Sequence, residues 1–201
     1  GVSINDALLH VGQDDLPFYY WLASTYALND RHFASVRSGT FPNRNFVLYG
    51  TADGVRSTGS GYPRPGTPNL FDRLDAAGIT WGAYSAGAYF SASLGWTSSH
   101  RGAHSLGDFL TALDAGTLPQ VVFVDGVENI DDEHPDGNVQ QGEAWTRNVY
   151  QHAVRSPLWP GLAMIWTYDE AGGFADHVPP PERACIARPG PTDADYFALG
   201  P

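Results

Sequence analysis

The apolar run Gln120-Val-Val-Phe-Val-Asp125 does most to limit what this chain can fold into. Four successive apolar residues leave no polar face, so a strand made from them needs cover on both sides, as in a parallel sheet between helices. Segments with helical spacing flank it. Residues 105–115 read as a helix with Ser105 as cap and Asp108 three residues on, an approximate capping box. Residues 139–155 form the longest helix candidate.

The same alternation runs through the rest of the chain. Residues 16–28 suit a largely buried helix, started by Asp14 or Asp15 with Pro17 in its first turn. Residues 42–49 read as a short helix opened by Pro42, and residues 70–77 as another, stopped by Gly78. Residues 79–84 and the apolar stretch 161–168 read as strands, the second of the buried kind. Helix and strand in turn predict an α/β sandwich around a mainly parallel sheet, in which functional groups gather at the carboxyl ends of the strands. Two acidic clusters follow such ends: Asp125 onward, and Asp169-Glu170.

A chain of 201 residues is the size of one domain, expected to span residues 1–201, and it can bury roughly 70% of its unfolded surface. Its 22 acidic residues outweigh 11 basic ones, all arginine, for a net charge of −11. Such a surface lacks the cationic footprint that nucleic acids or an anionic membrane require. No apolar run approaches the ~20 residues of a membrane span. The lone Cys185 excludes an internal disulfide and a cysteine-based zinc cluster. Residues 57–68, crowded with Gly and Pro, read as a long surface loop. Both ends read as cut: the chain opens on Gly1 without a signal peptide, and 195–201 look like an entry into a further element.

Three segments can carry chemistry. In Asp169-Glu170-Ala-Gly-Gly-Phe-Ala-Asp-His-Val178, two adjacent carboxylates after a strand need a positive partner. Gly172 and Gly173 would let the chain turn and bring Asp176 and His177 back beside them. Oxygen donors with an imidazole suit a divalent cation such as Mn, Ca, Mg or Zn; a solvated turn is the plainer alternative. In Ser38-Gly-Thr-Phe-Pro-Asn-Arg44, Thr40 is expected just ahead of a helix N-terminus, where free N–H groups hold an anion. There its hydroxyl could attack phosphorus, or simply cap a turn. In Asp131-Asp-Glu-His-Pro-Asp-Gly-Asn-Val139, the spacing from Asp132 through His134, Asp136 and Gly137 to Glu143 resembles an EF-hand calcium loop. His134 as an acid or phosphate ligand is the competing role there.

In this order and spacing, the stretches 16–44, Asp132-Glu-His-Pro135 with Gly142-Glu143, and 168–180 resemble the phosphoesterase family of bacterial phospholipases C and acid phosphatases. The resemblance implies an alkaline-phosphatase-like fold and metal-assisted hydrolysis of phosphate esters, either phospholipid headgroup esters or small monoesters. It puts Thr40 at the nucleophile position, Asp169 and Glu170 at the acidic metal pair, and His134 near the phosphate. Asn43, Asp176 and His177 match further motif positions, at the substrate or behind it. The family's opening Glu-Asn-x-Ser-Phe-Asp type motif, a source of more metal ligands, is not found and is expected upstream of Gly1. By this resemblance the chain is an internal piece of an extracytoplasmic or secreted enzyme. A non-catalytic calcium-binding module built on Asp132, Asp136 and Glu143, or an inactive fragment, is the alternative.

Overall fold

The computed structural model describes residues 7–58, 66–86 and 101–180. Among these, in chain order, are α1 (Pro17–Thr25), α2 (Thr40–Tyr49), α3 (Leu70–Ala76), β1 (Trp81–Tyr84), β2 (Ala103–His104), α4 (Leu106–Ala115), β3 (Val121–Val124) and α5 (Val139–Arg155), followed by a 3-10 turn at Trp159–Gly161. The strands form one parallel sheet in the order β2-β1-β3, with Ala83 opposite both Ala103 and Phe123. This is the α/β architecture that the alternation predicts.

Period-two alternation divides the core into two layers. Trp81, Ala83, Val121 and Phe123 face one way, onto Leu48 of α2 and Phe71 of α3. Tyr84, Val122 and Val124 face the other, onto α4 and α5 through Phe109, Leu113, Val149 and Ala153. Helices therefore cover both faces. A side chain as deeply buried as Phe71, 1% exposed, contributes roughly 1.5–3 kcal/mol of apolar burial.

Local chemistry sets several boundaries as expected. Ser105 and Asp108 close a reciprocal capping box on α4, and Gly116 ends that helix in the left-handed conformation. Asn69 and Asp72 do the same at the start of α3. Asn138 caps α5 by accepting from the Gln140 N–H.

Other expectations are corrected. Neither Asp14 nor Asp15 caps α1: its N-cap is the buried Leu16, and the Asp15 carboxylate turns back to accept from the Gly12 N–H at 2.9 Å. No residue of α1 is buried, because the helix lies on α5 by one side only, leaving Tyr20 and Trp21 exposed. Helix α2 starts two residues earlier than expected, at Thr40, with Pro42 within the first turn, where its missing N–H has no intrahelical partner to lose. The expected strand at 161–168 does not join the sheet. Its start is taken into the 3-10 turn, Leu162 alone packs on the α4–α5 layer, and Ile165 is 88% exposed. Apolar composition shows that a segment can pair, but not whether a partner edge is beside it. Cys185, residues 195–201 and the centre of the 57–68 loop lie outside the described residues. No helix among the described residues is long and apolar enough to cross a membrane.

Candidate active site

At the carboxyl end of the sheet, the Asp125 N–H donates to the Tyr84 carbonyl at 3.0 Å, fixing Asp125 just beyond β3. Arg44 reaches it from α2. Its Nη1 donates to Asp125 Oδ2 at 2.7 Å and Nη2 to Oδ1 at 3.0 Å, while Nε donates to Asp169 Oδ2 at 3.0 Å. The Arg44, Asp125 and Asp169 side chains are 16%, 15% and 28% exposed. Burial alone would lower the pKa of Arg44, but the Asp125 and then the Asp169 carboxylates hold the guanidinium above its usual value. Burial holds the Asp125 carboxyl above its usual value, and the fork of Arg44 opposes this.

Thr40 lies one helical turn before Arg44 and on the same side of α2. It is the first residue of that helix, not ahead of it, and is 8% exposed. The N-cap residue, Gly39, has no side chain, and the first-turn N–H groups and the positive end of the helix dipole meet at Thr40. Asn43 turns away from this point. Its Oδ1 accepts from the Val36 N–H at 2.9 Å, and its Nδ2 donates to the carbonyls of Ser38 at 2.9 Å, Gly39 at 3.1 Å and Val36 at 3.2 Å. The whole amide is used to fold the segment that leads into Thr40.

The Asp169 turn closes on itself: Glu170 Oε2 accepts from the Gly172 N–H at 2.8 Å, and Gly172 and Gly173 both adopt positive φ. This turn packs against the His134 loop so closely that a Cβ on Gly172 would lie 3.0 Å from Pro135 Cγ. His134 itself is exposed. Its Nδ1–H donates to the Pro135 carbonyl at 2.9 Å, which leaves the Nε2 lone pair as the one that can exchange a proton. The glycine turn does not gather Asp176 and His177 with the acidic pair. They meet each other at the surface, 2.6 Å apart, and the Val178 N–H holds Asp176 below the usual carboxylate range.

Asp169 Oδ1 and Glu170 Oε1 are hard oxygen donors of the type a divalent cation takes. Among the described residues, no group of three or more His, Cys, Asp or Glu side chains is arranged to hold a metal, so these two oxygens are a partial donor set. The calcium-loop alternative loses its twelfth-position ligand. Glu143 is 9% exposed, and its Oε1 accepts from the Phe18 and Tyr19 N–H groups at 2.7 and 3.1 Å, capping α1 from α5.

Sequence reasoning missed Arg44 and Asp125 as a pair. Arg44 sits within the Thr40 segment and Asp125 at a strand's carboxyl end, but only the fold shows that they meet.

A helix N-terminus near a carboxylate cluster at the carboxyl end of an α/β sheet is an arrangement that suits a phosphate group. The chain belongs to the Phosphoesterase family, whose model matches residues 5–200. It is 34% identical to non-specific phospholipase C5 of Arabidopsis thaliana, over 93% of this chain and 39% of that protein. It is also 33% identical to non-specific phospholipase C1 of the same plant, over 92% and 37%. Non-hemolytic phospholipase C of Burkholderia pseudomallei is 27% identical, over 87% and 31%. The chain thus spans about two fifths or less of the length of these relatives.

Proposed function

We propose that the chain carries the nucleophile half of a metal-dependent phosphoric ester hydrolase of phospholipase C or acid phosphatase type. Thr40 is the nucleophile, and the observation that carries the reading is its position at the start of α2, one turn from the arginine that grips Asp169. The substrate is a phosphate ester, either a phospholipid headgroup ester or a small monoester, and the names of the relatives favour the phospholipid. An extracytoplasmic location goes with that reading.

In the first step Thr40 Oγ1 forms a bond to phosphorus as the ester oxygen leaves with the bonding pair. In the second, water displaces the phosphoryl group and Thr40 is restored. The α2 N–H groups bind and orient the phosphoryl oxygens. His134 Nε2 takes the Thr40 hydroxyl proton and gives it to the leaving ester oxygen, then takes a proton from the attacking water and returns it to Thr40 Oγ1. Arg44 fixes Asp169 relative to Thr40. Asp169 Oδ1 and Glu170 Oε1 would hold the divalent cation, which supplies positive charge to offset the phosphoryl oxygens and favour the ionised hydroxyl.

The test is hydrolysis of a chromogenic phosphate ester and of phosphatidylcholine by the chain with Mn or Ca, beside Thr40→Ala. Loss of turnover in the variant with unchanged unfolding supports the assignment, and full turnover in Thr40→Ala sinks it.

A further inference from the structure

Glu133 is a carboxylate with no chemical task so far, yet three parts of the molecule converge on it. The Tyr19 hydroxyl of α1 donates to its Oε1, and the Tyr168 hydroxyl donates to its Oε2. Because the Tyr19 proton is committed to Glu133, Tyr19 accepts in turn from the Thr146 hydroxyl of α5, 3.0 Å away. The Trp166 ring lies between the two tyrosines in this arrangement, 4.6 Å from each ring centroid. Space is kept for Glu133 by Gly142, where any Cβ would collide with the Glu133 side chain. The backbone of Glu133 is itself in the left-handed region, φ 61°, unusual for a residue other than glycine.

Its neighbours give this arrangement a consequence. Glu133 directly precedes His134, and Tyr168 directly precedes Asp169. One carboxylate therefore ties the proton-transfer loop to the segment that delivers the acidic pair, and both to α1. Among the described residues no cation pairs with it. The charged and titratable groups around it are Tyr19, Tyr168, Glu143 and Asp132, and burial holds Glu133 above the usual carboxylate range.

We infer that Glu133 is a positioning residue of the site, setting the His134 loop against the Asp169 turn through the Tyr19 and Tyr168 hydroxyls. The inference rests on the phosphoesterase reading of His134 and Asp169, and its test has an arm that needs no turnover.

Amide hydrogen exchange is measured on the full chain, on Glu133→Ala and on Glu133→Gln. The alanine variant is expected to exchange about 10-fold or more faster in residues 131–135 and 168–173, with α3 and α4 unchanged, and the glutamine variant to restore protection. In the assay, Glu133→Ala is expected to lose about 10–100-fold in kcat with KM nearly unchanged, and glutamine to recover most of it. Unchanged exchange in both loops, exchange raised equally across α3 and α4, or failure of glutamine to restore protection would each overturn the inference. If Glu133→Ala does not fold, Tyr168→Phe removes one arm alone: faster exchange confined to 168–173 supports the proposal, and none contradicts it. A parent chain without turnover would count against the hydrolase reading, while the exchange data would still decide the role of Glu133.

Discussion

The Arg44 guanidinium and the Asp125 carboxylate form a two-pronged ion pair, with N–O distances of 2.7 and 3.0 Å, that joins α2 to the carboxyl end of β3. Its third donor, Nε, continues to Asp169, so one side chain aligns a helix, a strand end and the acidic turn. A planar fork is needed for this, and lysine cannot supply it.

Arg44→Ala leaves two carboxylates facing one another without their cation. Breaking such a pair from one side costs about 3–5 kcal/mol, and that loss is expected in urea unfolding. Arg44→Lys should recover only part of it. A loss below about 1 kcal/mol for Arg44→Ala would show that the pair contributes little to the fold.

Asn43→Ala removes the acceptor of the Val36 N–H and the donor to three carbonyls. A cost of about 1–3 kcal/mol is expected, with faster amide exchange in residues 36–39. Unchanged exchange there would contradict the role given to Asn43 as the residue that shapes the approach to Thr40.

Glu143→Ala leaves the Phe18 and Tyr19 N–H groups without their acceptor. The expected destabilisation is about 1–2 kcal/mol, the range of a lost helix cap. If Glu143 instead served a calcium loop, its removal would abolish calcium binding in a titration and leave unfolding in chelator unchanged.

The Glu133 carboxyl lies above its ordinary value of 4.5 in the folded chain. The folded state therefore holds this proton more tightly than the unfolded state. Stability from this group is fully present below pH 4.5 and is lost as pH rises through the folded value. Glu133→Gln cannot titrate, so its stability relative to the parent should improve as pH rises above 4.5, then level off. Urea unfolding of both chains across that window checks this. A difference independent of pH would contradict it.

The parts legible in sequence were those set by local chemistry. Ser105 and Asp108 marked the start of α4, and the Val121–Val124 run marked a strand covered on both sides, because each signal lies within a few residues. The Thr40, His134 and Asp169 segments were also visible as motifs. What sequence could not give depends on residues far apart in the chain. The α1 cap comes from Glu143, 125 positions after Phe18, and not from the adjacent Asp14 or Asp15. The 161–168 run has the composition of a buried strand but no pairing in the described sheet, because pairing needs a neighbouring edge and not composition alone. Asp176 and His177 form a surface pair, since two glycines permit a turn without fixing where it leads.

Thr40 is expected to become phosphorylated during turnover. The most direct measurement is acid-quenched mass spectrometry of the chain a short time after mixing with a chromogenic phosphate ester and Mn. The mass of one phosphoryl group is expected on the peptide containing Thr40, decaying as product forms and absent from Thr40→Ala. Steady turnover with that peptide unmodified at every time point would contradict it.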